Sequence, residues 1–491
     1  MMGLKNLFAN LSYLIYNHLK NSVFIPYLLC FKVVKMKQIT EAIVRIWGQD
    51  AGFLLWDEKR RLARFEYTKD FCKTGIELSP LKMPLSQNTV YEFPELREND
   101  YSSTFCGLPG IFADSLPEKF GNTIMKTWLE ENHIDFSDLN PIERLCYVGR
   151  RGMGALEYEP VLENRFEKDE RIDFNELVDI ARKVLLEREN KNELIQNQNG
   201  LLEQLMKIGT SAGGAKAKAI IALKFKDGKP FQVFSGQGEP KKNLSYWIVK
   251  FSDVKNDEHM SDLFTGRLEY AYYLMAKNCG IDMMPSRIIN DANGVGHFIT
   301  RRFDRENGEK IHMATFCGLA HEDRNPPGMT SYEKLFDTAR SLKIDYSEIE
   351  QLYSRMVFNI LARNQDDHSK NHSFLISQNG KWRISPAYDL CFSFNKDSKW
   401  IAVQQMRCNG KRDDFTLKDL LLAAEKADIK NPREIIKKVA EGLSTWRECT
   451  KKALFPDIEA EKIESLFRNN IIQELKSQKN IQTEKSFDLG R

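Results

Sequence analysis

The segment Asn364-Gln-Asp-Asp-His-Ser-Lys-Asn-His concentrates the side chains of this chain that are best suited to chemistry. So many charged groups are hard to explain as packed core, because buried charges are costly without partners. Asp366 and Asn371 have the D-x-x-x-x-N spacing of a kinase catalytic loop, in which the acid accepts a hydroxyl proton and the amide binds Mg²⁺. A solvated polar loop is the alternative interpretation. A zinc site at His368 and His372 is disfavoured, because no further ligands cluster nearby in the sequence.

A second acid in a suitable context is Asp389, in Trp382-Arg-Ile-Ser-Pro-Ala-Tyr-Asp-Leu. Two short strands are predicted before it, one from Asn371 to Ser377 and one from Trp382, with Asn379-Gly as the turn. In kinases an acid after the corresponding strands binds Mg²⁺. Asp366 and Asp389 are therefore predicted to act on one divalent cation.

The strand-like run Tyr246-Trp-Ile-Val-Lys-Phe places Lys250 among apolar residues. A lysine there is either an edge-strand gatekeeper or a buried cation that needs an anionic partner. Glu269 follows in the helical pattern Arg267-Leu-Glu-Tyr-Ala-Tyr-Tyr-Leu-Met-Ala. A strand lysine paired with a helix glutamate positions the α- and β-phosphates in kinases. An ion pair of Lys250 with Glu269 is predicted, with unrelated surface charges as the alternative.

The segment Thr210-Ser-Ala-Gly-Gly-Ala-Lys-Ala-Lys-Ala precedes a predicted strand that begins at Ile220. Small residues allow the backbone to approach phosphate oxygens closely, and the lysines add positive charge. The pattern is not a Walker loop, which requires G-x-x-x-x-G-K-[ST]. Alone it fits a plain hairpin turn better. Together with the three features above, it completes a phosphate-transfer site in kinase-like order.

The elements that must position these residues follow from hydrophobic periodicity. Ile39 to Glu159 is mostly β, with a hairpin from Ala42 to Asp57 and a helix from Lys119 to Glu131. The glycine-rich stretch Gly149 to Ala155 is interpreted as a structural turn, because no strand–helix unit frames it for dinucleotide binding.

The rest of the chain is predicted to be largely helical. Phe174 to Lys207 has the charge pattern of a solvated helix that joins two domains. Beyond Tyr332 the pattern is nearly all helix, apart from a β-rich patch from Phe374 to Phe394, and the last 15 or so residues are predicted to form a frayed tail.

Composition sets broad limits on function. The 491 residues are enough for two or three domains. A formal charge of +3 from 72 basic and 69 acidic side chains is small for a protein that binds nucleic acid by phosphate neutralisation alone. The nine cysteines include no C-x-x-C pair, so buried thiols in a reducing cytoplasm are expected rather than zinc ligands or disulfides.

Residues 1–35 are rich in Leu, Phe, Tyr and Ile, but Lys20 and Lys32 interrupt them. Each uncharged run is shorter than the ~20 residues that a membrane span requires, so no span is predicted. Met36 opens a stretch that is typical of the start of an N-terminal strand. Translation from Met36, or a peripheral helix or membrane tether before it, are the two interpretations that stay open.

Taken together, the motifs resemble the HipA family of bacterial serine/threonine kinases, the toxins of type II toxin–antitoxin pairs, from Met36 to about Trp446. The most specific segments are Phe298-Ile-Thr-Arg-Arg-Phe-Asp-Arg, Asn364-Gln-Asp-Asp-His-Ser-Lys-Asn-His-Ser-Phe and Ser385-Pro-Ala-Tyr-Asp-Leu. Cys408-Asn-Gly-Lys-Arg-Asp-Asp-Phe and Gly107-Leu-Pro-Gly-Ile-Phe-Ala-Asp-Ser-Leu-Pro fit the same family. The resemblance implies an α+β, two-lobed protein-kinase-like (HipA-type) fold, with a mixed β-rich N-terminal lobe and a mostly helical C-terminal lobe.

The resemblance also implies roles for single residues, with Asp366 as the catalytic base and Glu269 as the partner of Lys250. The implied phosphate loop comprises Gly213, Gly214, Ala215, Lys216, Ala217 and Lys218. The other implied nucleotide contacts are Lys250, Arg301, Arg302, Phe303, His368, Lys370, Asn371, Tyr388 and Asp389. Asn371 and Asp389 would hold Mg²⁺, Ser211 stands where family members autophosphorylate, and Glu306 to Ser331 would form the activation loop. The phosphate loop departs from the family, since it has G-G-A-K-A-K where the best-known members have A-G-A-Q-E-K.

The implied partners are a small helix-turn-helix antitoxin (HipB-like), DNA only through the antitoxin complex, and a protein target, for which the family's known class is an aminoacyl-tRNA synthetase. ATP and Mg²⁺ are the implied cofactors, and the cytoplasm is the expected location. Two alternatives stay open: a pseudokinase that acts as an antitoxin-bound DNA corepressor, and a lipid or small-molecule kinase on the same fold. The predicted parts are residues 1–35 (hydrophobic extension), 36–165 (N-terminal subdomain), 166–300 (nucleotide-binding part), 301–445 (helical catalytic lobe) and 446–491 (C-terminal extension).

Overall fold

The first sheet is antiparallel and has five strands in the order β4-β3-β2-β1-β5. The strands are β1 (Glu41–Ile46), β2 (Gln49–Asp57), β3 (Leu62–Tyr67), β4 (Val90–Tyr91) and β5 (Leu156–Glu159). Trp47 and Gly48 join β1 to β2 with φ of 50° and 76°, as a type I′ hairpin turn requires. The hairpin predicted from Ala42 to Asp57 is confirmed.

The helices in this part of the chain are α1 (Lys69–Cys72), α2 (Gly110–Ala113), α3 (Lys119–Glu131) and α4 (Pro141–Val148). The helix α3 has the bounds predicted for it. Asn140 and Glu143 form a capping box at the start of α4. Glu143 also accepts a hydrogen bond from the backbone of Ile39 at 2.9 Å, which ties the helix to the chain just before β1.

The computed structural model describes residues 38–97, 104–162, 170–187, 216–227, 229–252 and 262–477. The second sheet has the strand order β7-β6-β8-β10-β9. Its strands are β6 (Lys218–Lys226), β7 (Lys229–Phe234), β8 (Ser245–Lys250), β9 (Ser286–Asn290) and β10 (Gly296–Arg301). In chain order, helix α5 (Phe174–Glu187) precedes β6, and helix α6 (Thr265–Asn278) lies between β8 and β9. Lys250 therefore lies on a central strand, where it pairs with Lys218 on one side and Phe298 on the other.

The remainder is mostly helical, with a small sheet in the order β13-β14-β15 and the hairpin β11–β12. The strands are β11 (Arg305–Glu306), β12 (Glu309–Lys310), β13 (His312–Thr315), β14 (Ser373–Ile376) and β15 (Trp382–Ile384). The helices are α7 (Phe316–Ala320), α8 (Tyr332–Ser341), α9 (Tyr346–Leu361), α10 (Leu417–Lys426), α11 (Pro432–Leu443), α12 (Trp446–Ala453) and α13 (Asp457–Ser465), followed by helical residues 469–477. The predicted α+β class is confirmed. None of the helices within the described residues is long and apolar enough to cross a bilayer.

Buried charges join the first sheet to the rest of the chain. Asp304 accepts hydrogen bonds from Arg302 at 2.7 Å and Arg305 at 2.9 Å. It also accepts from the backbone of Gly154, and Arg305 donates to the carbonyls of Gly152 and Gly154. The glycine-rich stretch interpreted as a turn thus supplies backbone groups to this ion cluster, which gives buried charges the partners they need.

Two predicted segments differ from the structure. The prediction of an activation loop from Glu306 to Ser331 is wrong in its first half, since that half contains β12, β13 and α7, and His312 and Phe316 are buried. The prediction of nearly all helix beyond Tyr332, apart from the patch from Phe374 to Phe394, is wrong for residues 395–416, every one of them described, which form turns without helix or extended strand. In both places the chain follows contacts with distant residues rather than its local pattern.

Trp446, the first residue of the predicted C-terminal extension, lies at the centre of the helical lobe with 0% exposure. Its ring makes edge contacts with Tyr272 on α6 and with Phe467, at centroid distances of 5.4 and 5.7 Å. Its indole N–H donates to the carbonyl of Ala460 at 2.9 Å. The residues that follow Trp446 are therefore part of this lobe as far as residue 477.

We expect Trp446→Ala to lower the free energy of unfolding by about 3–5 kcal/mol, because the substitution leaves a large cavity. Chemical denaturation followed by circular dichroism measures this change. Ile458→Ala on α13 is the control, since Ile458 is 69% exposed and its loss should cost less than about 0.5 kcal/mol. Equal effects of the two substitutions would contradict the central position of Trp446.

Candidate active site

A cavity of about 1200 Å³ lies between the second sheet and the helical lobe. Most of the predicted site residues line it: Lys216, Lys218, Lys250, Glu269, Arg301, Arg302, Phe303, Asp366, His368, Lys370, Asn371, Tyr388 and Asp389. Gly213, Gly214, Ala215 and Ser211 lie outside the described residues. Ala217 is buried, and its carbonyl accepts a hydrogen bond from the backbone of Phe251.

Lys250 bonds to two acids that are far apart in the sequence. Its ammonium lies 2.5 Å from Oε1 of Glu269 on α6 and 2.6 Å from Oδ1 of Asp389. The ammonium of Lys250 strongly lowers the pKa of Asp389, although burial opposes this, and Lys218 acts in the same direction. Asp389 is 46% exposed toward the cavity and has a φ of 58°, a left-handed conformation that is uncommon outside glycine.

Asp366 lies in a different environment. Oδ1 accepts a hydrogen bond from Gln405 at 2.6 Å, and its carbonyl accepts one from the amide of Asn371 at 3.1 Å. Burial raises the pKa of Asp366 despite the opposing effect of His368, and the nearby charge of Asp389 adds to the rise. Burial lowers the pKa of His368, against the attraction of Asp366. A carboxylate that is weakly compensated in a cavity is suited to accept a proton.

Asp367, the next residue, is part of the protein core. It accepts hydrogen bonds from the hydroxyl of Tyr332 at 2.5 Å and from His372, whose Nε2 lies 2.9 Å from Oδ1. Burial opposes ionisation, but His372 and Tyr332 together lower the pKa of Asp367. Asp367 thus anchors the loop that carries Asp366.

The stretch from Arg301 to Phe303 lines the cavity beside Tyr388. The backbone N–H groups of Arg301 and Arg302 donate to the carbonyls of Pro285 and Tyr246. The guanidinium of Arg302 is held by Asp304. The rings of Phe303 and Tyr388 lie 5.7 Å apart, and the Tyr388 hydroxyl donates to the carbonyl of Lys370 at 2.7 Å.

Several residues that line the cavity are absent from the predicted site: Thr104, Asp114, Glu118, Arg324 and Gln405. Glu118 bonds to Lys370 at 3.0 Å and to Arg324 at 3.1 Å. Asp114 accepts a hydrogen bond from the backbone of Thr315 at 2.8 Å. Two of them fall in segments that the sequence singles out: the motif that begins at Gly107 contains Asp114, and the predicted activation loop contains Arg324.

The donors present fit a nucleotide with Mg²⁺. The side chains of Lys216, Lys218 and Lys250 provide cations for phosphate groups, and Asn371 with Asp389 provides oxygen donors of the kind that Mg²⁺ prefers. Across the described part of the chain, no three His, Cys, Asp or Glu side chains converge as a metal-only site would require. This chemistry suits a metal held partly by phosphates, as in phosphoryl transfer.

Comparisons with known proteins agree with this arrangement. The family model HipA-like C-terminal domain matches residues 210–446, and the model HipA N-terminal domain matches residues 42–159. The protein Y4mE of Sinorhizobium fredii (strain NBRC 101917 / NGR234), whose name proposes a kinase, is 27% identical over 139 residues. That match covers 26% of this chain and 33% of Y4mE, so the chain spans about a third of the length of this curated relative.

Two solved structures align with the chain. The structure described as the Shewanella oneidensis MR-1 toxin–antitoxin system HipA, HipB and its operator DNA aligns with a TM-score of 0.57 at 14% identity, over 89% of this chain and 97% of that chain. The Helicobacter pylori proinflammatory kinase CtkA aligns with a TM-score of 0.34 at 14% identity, over 54% of this chain and 94% of that chain. The first alignment confirms the predicted two-lobed, HipA-type fold.

The adjacent acids Asp366 and Asp367 are expected to affect stability in opposite ways. Asp367→Asn should lower the free energy of unfolding by about 1.5–3 kcal/mol at neutral pH, because hydrogen bonds to a buried charge are lost. The folded-state pKa of Asp367 is lowered, so its contribution is present at neutral pH and disappears as the pH falls through that pKa.

Asp366→Asn is the matched comparison. Because the folded-state pKa of Asp366 is raised, its ionised form opposes folding at neutral pH, and the amide should leave stability unchanged or slightly higher. Urea denaturation of both variants and the wild type at neutral and acidic pH tests this. A larger loss for Asp366→Asn than for Asp367→Asn would refute the assignment.

Proposed function

Because the chain belongs to the HipA family, we propose that it is an ATP-dependent protein kinase that phosphorylates a serine or threonine hydroxyl. One observation supports this function above others: Asp366, Asp389 and Lys250 line the same cavity. A carboxylate with a raised pKa, an acid that can bind a metal and a strand lysine are the parts that phosphoryl transfer requires.

Bound Mg-ATP would supply the γ-phosphoryl group, and the metal would neutralise charge on the phosphates. Lys250, fixed by Glu269, binds phosphate oxygens, and Lys216 and Lys218 add positive charge beside it. Asp366 accepts the proton of the acceptor hydroxyl, while its hydrogen bond from Gln405 fixes the direction of the carboxylate. Asn371 and Asp389 are the metal ligands on the protein side.

The partners in this proposal are a small helix-turn-helix antitoxin of the HipB type and, through it, DNA. The described complex from Shewanella oneidensis supports this assembly, since it contains HipA, HipB and operator DNA. The protein target belongs to a class such as the aminoacyl-tRNA synthetases, and the enzyme acts in the cytoplasm. Labelled ATP added with a cell lysate identifies the target as a labelled protein band.

Asp366→Asn and Asp389→Ala should each reduce phosphotransfer by at least about 1000-fold, because one removes the base and the other a metal ligand. The assay measures transfer of label from γ-labelled ATP to protein. Asp457→Asn is the control, since Asp457 is an exposed residue at the start of α13 and away from the cavity. Retained labelling in the Asp366 variant would exclude this residue as the base.

Autophosphorylation on Ser211 is part of the proposal and rests on the family resemblance alone. We expect Mg-ATP to produce one phosphopeptide that contains Ser211, and Ser211→Ala to remove it without a change in thermal stability. Mass spectrometry of the digested protein measures both. A phosphopeptide that persists in the variant would place the modified residue elsewhere.

A further inference from the structure

The cavity is bounded in part by residues from the N-terminal subdomain, which the kinase motifs do not include. Glu118 is the N-cap residue of α3. Oε1 of its carboxylate accepts from Lys370 at 3.0 Å, and Oε2 accepts from Arg324 at 3.1 Å. The carboxylate also gains from the partial positive charge at the start of a helix. One acid thus holds two cations from different segments of the helical lobe.

Both cations line the same cavity as the proposed base. Lys370 follows Asp366 in the same loop, and Arg324 is near enough to Asp366 and His368 to lower the pKa of each. Lys370 and Glu118 are only 11% and 12% exposed, and Arg324 is 28% exposed. Charges this well enclosed depend on their partners for their position.

Phosphoryl transfer in the proposed active site requires fixed positive charges near the transferred group. In phosphoryl transfer, charge develops on the transferred group, and fixed positive groups stabilise it. His368 lies between Asp366 and Lys370 in the sequence, but burial lowers its pKa, so it is a poor source of charge. Lys370 and Arg324 are cations that line the cavity together with Asp366.

A second contact from the same subdomain holds the segment of Arg324. The hydroxyl of Thr104 donates to Asp323 at 2.7 Å, and Asp323 also accepts from the backbone of Asn325 at 2.9 Å. The residue on each side of Arg324 is therefore fixed. This leaves Glu118 to set the direction of the guanidinium.

We propose that the N-terminal subdomain completes the active site through Glu118, a positioning residue that holds Lys370 and Arg324 at the cavity that contains Asp366. This inference rests on the proposed kinase function. Its consequence is that the rate of the chemical step depends on a residue outside the kinase motifs, whereas Mg-ATP binding does not.

The test compares steady-state ADP formation from Mg-ATP by the full chain and by Glu118→Gln, with casein as a generic protein acceptor. The amide keeps the size of the side chain but removes its charge. We expect kcat to fall about 10- to 100-fold, as for a misplaced catalytic group. KM for Mg-ATP should stay within about threefold. A kcat within about twofold of the wild type would overturn the inference.

Glu157→Gln is the matched control. Glu157 is also in the N-terminal subdomain, and it pairs with Lys310 of β12 at 2.7 Å with 15% exposure, but it does not line the cavity. We expect this variant to lose a similar amount of thermal stability and to keep its kcat. A loss of kcat in Glu157→Gln as large as in Glu118→Gln would overturn the specific role of Glu118.

A double-mutant cycle distinguishes a role of Glu118 in positioning Lys370 from a general loss of rigidity in the protein. If Glu118 acts through Lys370, then Glu118→Gln adds little to the loss of kcat in Lys370→Met. Losses that add fully would overturn the proposal.

If Glu118→Gln does not fold, Arg324→Met reports on the same contact from its more exposed side and should lower kcat with KM unchanged. ADP formation that is absent in the wild type contradicts the kinase function itself, whereas wild-type activity that survives Glu118→Gln contradicts only the inference.

Discussion

The position of the Lys250 ammonium is the constraint on which the site depends. One side chain on a central strand bonds to Glu269 on α6 and to Asp389 beyond β15, so it joins three elements that are distant in the sequence. A lysine enclosed among apolar neighbours would be unstable without these acids. The sheet, the helix and the segment of Asp389 must therefore assemble together before any of these charges has its partner.

Buried ion pairs also join the N-terminal subdomain to the rest of the protein. Asp304 is fully buried and is neutralised by two arginines, and its cluster uses backbone groups of Gly152 and Gly154. Glu118 provides a second connection at the cavity. Buried ion pairs add little net stability, but a missing partner is costly. Such pairs therefore favour one specific arrangement of the subdomains and contribute little to the overall strength of their association.

Local sequence patterns predicted those helices and strands whose conformation is determined by interactions between residues close in the sequence. The hairpin of β1 and β2, the helix α3 and the strand of Lys250 have periodicity and turn chemistry that act within a few residues. The order of the kinase-like motifs also predicted which residues would line one cavity. Residues 395–416 and the first half of the stretch from Glu306 to Ser331 did not follow their local pattern, because their conformation depends on contacts made across the fold.

Long-range contacts explain the rest of what was missed. Glu118 and Lys370 are 252 residues apart in the sequence, and no spacing rule connects them. Trp446 was predicted to begin an extension, but its burial depends on Tyr272 and Phe467, which approach it only in the folded chain. An acid or an aromatic ring in the sequence indicates the chemistry that a residue can do, whereas its role depends on which neighbours the fold provides.

The pair Asp366 and Asp367 gives the sharpest form of this argument. Both are aspartates in one polar loop, and in the sequence only the spacing to Asn371 distinguishes Asp366 from Asp367. Tyr332 and His372 both bond to the carboxylate of Asp367, whereas Asp366 receives one hydrogen bond from Gln405 and faces the charge of Asp389. A carboxylate becomes a better base as its charge is less stabilised. The spacing indicates Asp366 as the proposed base, whereas the surroundings that raise its pKa are visible only in the assembled structure.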